Sequence, residues 1–409
     1  MRLMVAGVEY KDFISADASF RMDTLSDTFS FEATSTNLVP LPFRGGEPCT
    51  IFVDGTEVLN GHIELVNVDG DEDSHVIAIQ GRDRTGDLLD STLGELADIK
   101  VADETSLKEV VQAVLKHLGL DKTRVGAGNN PTEPPITVTQ SVAVEPFTEA
   151  EDIFASKSGE SAADFLFKAA RKRQVFIVST VKGNLDIIRS SGVVSPGAFL
   201  QHLKVSPKLQ ANNVLSYSYS WDETGRFNLY KNSTQPNAMS WVKQLIEINN
   251  KALAGTGGLT PSVDQTIRAG RQWVMTAEAT NSAKTDFNRA NWEMRIREAR
   301  GRTYGATVHG YRNQSGDLWT PNTLVQVVDE YAGIDSPMLI NGVTFSFDIS
   351  AGSITRLTLV ERDAYKISQE EVLRETDVAG SELDKKFKQL DKLKKAALEA
   401  VRKVLGSDE

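Results

Sequence analysis

Asp69, Asp71 and Asp73 stand at alternate positions in VDGDEDSH, as do the first ligands of a calcium loop. The rest of such a loop is wrong. Its sixth position calls for glycine and holds Ser74, and its twelfth calls for a bidentate glutamate and holds Gln80. A solvated hairpin tip is the expected reading. The five histidines, His62, His75, His117, His202 and His309, are scattered, and His117 has no ligand partner at helical spacing. The single cysteine, Cys49, excludes an internal disulfide framework and a cysteine-based zinc site. No GxSxG elbow and no glycine loop for phosphate occurs. Neither a catalytic residue, a cofactor nor a metal site is therefore expected, and the enzyme hypothesis has no named nucleophile, base or metal.

Charge alternates in GRDRTGDLLDST, where Arg82, Asp83, Arg84 and Asp87 could pair with one another or with a neighbouring subunit. A second such dipeptide, Arg362-Asp363, comes near the far end. These six are the candidate subunit-interface residues. The elements that carry them form an internal echo: VLNGHIELVNVDGDEDSHVIAIQGRD, from Val58, is answered by LINGVTFSFDISAGSITRLTLVERD, from Leu339. Asn60-Gly61 corresponds to Asn341-Gly342 and Arg82-Asp83 to Arg362-Asp363. Upstream, Pro48, Thr50 and Ile51 align with Pro321, Thr323 and Leu324. A spaced repeat of this kind predicts one small β fold used twice.

The chain has 409 residues, 40% hydrophobic and 25% charged, with net charge −11. That length predicts about two to four domains. No apolar run approaches the roughly 18 residues of a membrane span, and MRLMVAGVEYKDF lacks the apolar core of a signal peptide. The acidic balance argues against non-specific nucleic-acid affinity, which draws on clustered Lys and Arg. No sequence-specific nucleic-acid partner is expected.

Residues 1–95 read as short strands. Phe29 and Phe31 alternate with polar neighbours, and Asp54-Gly55 marks a hairpin. Residues 96–200 change texture. Leu107, Val110, Val111, Val114, Leu115 and Leu118 recur at helical spacing, SAADFLFKAARKR from Ser161 is a second helix, and VFIVSTVKGNLDIIR a hairpin turning at Lys182–Asn184. Residues 201–365 return to strands. Leu215, Tyr217, Tyr219 and Trp221 alternate along VLSYSYSW, with core packing favoured over base stacking, and the chain is expected to turn at Asp222–Gly225 and come back through Phe227 and Leu229. An insertion at about 232–285, with a helix at Met239–Asn250, and a charged helix opening at Arg289 precede the closing strands. In residues 366–409, Leu383, Phe387, Leu390, Ala397, Val401 and Val404 describe a short heptad seam, for a helix that either forms a three-stranded bundle or docks on its own subunit or a partner.

The order of segments carries a resemblance. The DG hairpin, GRDRTGDLLD, GES-x-x-DFL-x-x-AARKR and V-x-x-x-x-x-K-GNL-x-I, followed by TGRFNLY and GRTYGATVHGYRNQSGDLWTPNTLVQV, resemble the Mu-type phage tail baseplate hub family over residues 1 to about 365. The resemblance implies two similar small β-barrel, tube-like modules, and with the helices read above the expected fold is an α+β, mainly β chain with an intervening α+β module and a C-terminal helix. It relates the fold to the T-even phage hub and to the hub part of type VI secretion spike proteins. It implies a structural virion protein of a contractile tail or injection particle, assembled in the host cytoplasm. Its partners would be two further copies in a homotrimer, a central spike protein, a tail tube protein and other baseplate proteins. As a trimer it would adapt a six-fold tube to a three-fold spike. The alternatives are a tail-associated peptidoglycan-degrading enzyme and an unrelated two-domain β binding protein.

Overall fold

The computed structural model describes residues 1–34, 44–70, 75–94, 99, 101–125, 132–147, 154–204, 212–234, 262–277 and 283–365. The tip of the acidic turn, the helix expected at Met239–Asn250 and the C-terminal helix lie outside them.

The chain begins with β1 (Arg2–Val5), β2 (Val8–Tyr10), β3 (Ser15–Arg21), β4 (Thr28–Thr34), β5 (Pro48–Val53), β6 (Thr56–Gly70) and β7 (His75–Asp83). The β5–β6 hairpin turns on Asp54 (φ 47°) and Gly55 (φ 80°). Both lie in the left-handed region that a tight, right-twisted hairpin requires. Phe29 and Phe31 are buried on one face of β4, as their period of two predicts.

A second core follows, around α1 (Gly86–Asp90), α2 (Leu107–His117), β8 (Val138–Gln140), α3 (Ala162–Arg173), β9 (Phe176–Ser179) and β10 (Leu185–Ile188). Helix α2 starts on a capping box: the Glu109 amide donates to Ser106 Oγ at 3.2 Å, and the Ser106 amide to the Glu109 carboxylate at 2.7 Å. Helix α3 is capped by Ser161 and ends at Gln174, which takes the left-handed conformation (φ 53°).

The remaining elements are β11 (Val194–His202), β12 (Val214–Trp221), β13 (Leu229–Thr234), β14 (Ser262–Val263), β15 (Gln272–Ala277) and α4 (Ala283–Gly301), then β16 (Arg302–His309), β17 (Leu324–Asp329), β18 (Ile334–Asp348) and β19 (Gly352–Glu361). The return from β12 is not the expected one. Its partner is β16, while β13 joins β14 and β15 in a separate three-stranded sheet. Buried Arg226 holds that small sheet to α4, 2.7 Å from Asp264 and 3.6 Å from Glu298.

The two β modules share an order strand for strand. Neighbours run β1-β5-β6-β7-β4-β3 in the first and β11-β17-β18-β19-β16-β12 in the second, and the corresponding strands also follow the same order along the chain. One orientation differs, since β1 is antiparallel to β5 while β11 is parallel to β17. The insertion between β12 and β16 occupies the place of the short β3–β4 turn. The quoted identities do not share a register, however: Gly61 faces Asp83 across β6–β7, whereas Gly342 faces Thr358 across β18–β19. The hairpin beyond Asn-Gly is longer in the first module, so the strand order repeats without these side-chain positions repeating.

Two closed barrels were the expectation, and the described strands form something more open. All but six of the nineteen make one 13-stranded sheet. The modules fuse because β18 pairs on one edge first with β17 (residues 334–339) and then with β3 (residues 342–348). The edge by which the first module would close on itself is thereby taken. In the second module the gap between β11 and β12 is crossed at Asn213, whose amide and side chain bond Gln201 and Phe199. One hydrophobic core runs through both modules, from Leu3 and Ile63 to Ile340 and Leu357.

Candidate assembly surface

The charged segment after β7 is used within the chain. Arg82 reaches Glu64 at 2.6 Å and also pairs with Asp90. Asp83 is 2% exposed, and its carboxylate accepts from Ser26 Oγ at 2.8 Å, the Asp27 amide at 2.8 Å and the Thr85 amide at 2.9 Å. Arg84, also buried, points to the carbonyls of Pro134 and Lys182. Asp87 pairs with Arg124 at 2.7 Å, and Arg124 with Glu133 at 2.7 Å. Further along the same seam, His62 Nε2 lies 2.6 Å from Glu133 and Lys182 2.6 Å from Glu57. These residues fasten the first β module to the α+β core. Arg362 and Asp363 follow β19 at the surface, Arg362 half-buried and Asp363 exposed.

Burial raises the Asp83 pKa, with the surrounding donors opposing it. Half-buried Asp27 is pushed well above the ordinary aspartate range, first by desolvation and then by the charge of Asp83. Glu133 moves the other way, held low chiefly by its hydrogen bond with His62. The Cys49 thiol is buried and pushed up by desolvation alone, which makes it inert at neutral pH. Among the described residues no group of His, Cys, Asp and Glu is placed to hold a metal ion, and no helix is long and apolar enough to cross a membrane.

The junction of the two β modules is built from side chains as well as the ladder. Ser19 Oγ lies 3.0 Å from Thr344 Oγ1, Arg356 3.3 Å from Asp17, and Arg312 ties the loop after β16 to the β5–β6 hairpin through the Asp54 carboxylate and carbonyl. Beside it, Met22, Phe176, Trp292, Leu339 and Tyr365 form one buried cluster or pack against it, so both β modules, the α+β core and α4 meet there.

At the other end of the sheet β12 has no described strand beyond it. Leu215, Tyr217, Tyr219 and Trp221 are 61%, 38%, 37% and 57% exposed, which corrects the expectation that they fill a core. Tyr217 and Tyr219 do lie on the core-facing side, opposite buried Ala306 and Tyr304 of β16. They are exposed because no described strand follows β12. His202 packs tilted against Tyr217 and Tyr331 stacks on it, with ring centroids 4.6 and 6.4 Å away, and the Arg302 guanidinium sits 4.3 Å over Trp221. Sequence periodicity signalled the alternation of these residues but carried no information on whether a neighbour covers them.

Comparison with known proteins agrees with this organisation. Residues 1–83 match the N-terminal domain of Mu phage baseplate assembly protein GpP-like proteins, and residues 281–368 the fourth domain of Mu phage baseplate assembly protein GpP. Baseplate hub protein gp44 of Escherichia phage Mu is 23% identical over 330 residues, 80% of this chain and 78% of that one. The 43 kDa tail protein of prophage MuSo2 from Shewanella oneidensis has a similar fold, with TM-score 0.69 at 24% identity over 90% of this chain and 99% of that one. A tail protein from Neisseria meningitidis MC58 also has TM-score 0.69, at 20% identity over 89% of this chain and 97% of that one. Residues 1–83 and 281–368 of this chain are therefore matched to the N-terminal and fourth domains of Mu phage baseplate assembly proteins of the GpP type.

Proposed function

We propose that this protein is a structural hub of a contractile phage tail baseplate, or of a particle derived from one, and works by assembly rather than catalysis. The observation that carries the reading is a single strand order used twice in one chain and joined edge to edge, in a protein homologous over most of its length to a phage baseplate hub. Three copies would set six similar β modules around one axis, matching a six-fold tube on one face while keeping true three-fold symmetry toward a spike. Its partners are then two further copies of itself, the tube, the spike and neighbouring baseplate proteins, in the virion tail. The residues following β7 serve this indirectly, by fixing the α+β core against the module that enters the ring.

Co-expression with the tube and spike proteins of the same particle tests the reading. A complex containing all three components is expected, together with no loss of turbidity when the isolated protein meets purified cell walls. Wall lysis abolished by one carboxylate substitution would establish the peptidoglycan-degrading alternative instead. A monomer that joins neither partner would support the unrelated binding protein.

A further inference from the structure

The internal repeat shows what should cover β12. In the first module the corresponding strand is β3, and its free side is filled by residues 342–348 of β18. The strand corresponding to β18 is β6, and β6 has the same two-part edge. Residues 56–62 pair with β5, a backbone bond from Gly46 to Ile63 extends that contact, and residues 64–70 have no described partner on that side. Among the described residues each chain thus contains one completed junction of this type, β3 on β18, and two halves of another without a described partner, β12 and β6.

We propose that β12 of one copy pairs antiparallel with residues 64–70 of β6 in a second copy, repeating between subunits the β3–β18 junction found within the chain; this rests on the hub reading above for the number of copies that close the ring. Strand direction permits it, because β12 runs as β3 does relative to its own module and β6 as β18 does. The chemistry of the edge requires a cover. VLSYSYSW is an eight-residue edge strand with no proline and no charge, the kind of edge that soluble proteins otherwise protect against non-specific pairing. The facing side chains set the register. Val66 and Val68 lie on the core side of β6, paired with Ile79 and Ile77, and Val66 already packs partly against the shared core. Keeping apolar side chains on one face puts Tyr217 beside Val68 and Tyr219 beside Val66, which leaves Ser218 opposite Asn67 and Ser216 opposite Asp69 on the other face. The contact is heterologous, so it propagates head to tail and closes only as a ring.

Paired cysteines test the register in the full-length protein, since Cys49 is buried and inert. Ser218→Cys with Asn67→Cys, and separately Ser216→Cys with Asp69→Cys, should on mild oxidation give a covalent ladder that ends at the size of the native ring measured by mass photometry. Each single substitution should give no ladder. Tyr219→Lys should raise the concentration needed for assembly by about tenfold or more while leaving the melting transition of the separate chain in place. A native ring in which neither pair cross-links would overturn this seam and leave the hub reading standing. A chain that stays monomeric with its partners present would overturn both.

Discussion

Asp27 and Asp83 adjoin one another with both pKa values raised, and they should respond to substitution in opposite ways. The raised pKa of Asp27 means that the folded chain binds a proton there more tightly than the unfolded chain does. Stability from this group is therefore lost as pH rises through the folded value, and recovered as pH falls toward the ordinary aspartate range. Asp27→Asn removes the charge facing Asp83 and keeps an oxygen for the Arg21 amide, 3.2 Å away. Its melting temperature should exceed that of the parent by about 1–3 °C at pH 7, with the gap closing by pH 4. Asp83→Asn should instead cost about 1–3 kcal/mol at pH 7, because an amide nitrogen would replace an acceptor among groups that donate to Asp83. Thermal scans of both variants across that pH range test this, and a stabilised Asp83→Asn would show that the donors around Asp83 do not depend on its charge. The sequence marked Asp83 as a charged position but not as a buried one. Its partners Ser26 and Asp27 are more than fifty residues away along the chain, a distance at which local charge patterns say nothing.

At the scale of elements, β6 and β7 approach so closely that two glycines are required. A Cβ on Gly81 would lie 2.1 Å from the His62 carbonyl oxygen and 2.4 Å from the Phe29 ring. Gly81→Ala should destabilise the protein by about 2–4 kcal/mol, measurable by denaturant titration, and an unchanged midpoint would show the strands to be more separable than described. Helices α2 and α3 and the β9–β10 hairpin were legible in the sequence because their apolar periods and caps are local. Helix α4 was legible in kind but starts six residues before Arg289. The partner of β12 was not legible, since the chain between β12 and β16 holds a whole inserted sheet, and strand alternation does not name a neighbour. The repeat was visible through a few identities that turned out to occupy different registers. What repeats is the sequence of strands, which many side-chain choices can encode.

At the scale of the whole molecule, the two β modules, the α+β core and α4 meet in the cluster around Trp292 and Tyr365, whose ring centroids lie 5.0 and 5.1 Å from that of Phe176. A chain ending at Tyr365 retains every described element and should melt in the same cooperative transition as the full chain, with any loss confined to association with neighbouring components. If scanning calorimetry showed the transition broadened or gone, residues 366–409 would have to be part of a core.

Short ordered motifs over residues 1 to about 365 pointed to the Mu-type baseplate proteins that the chain matches, while the openness of the sheet and its shared core emerged only from long-range pairing. Under the proposed hub function, one chain supplies two equivalent positions in a ring. A cryo-electron microscopy map of the assembled tail tip tests it most directly. Three copies are expected around the axis beneath the tube, with the β1–β7 and β11–β19 modules alternating in a ring of six. A ring of six copies, or a map in which only one of the two modules enters the ring, would contradict it.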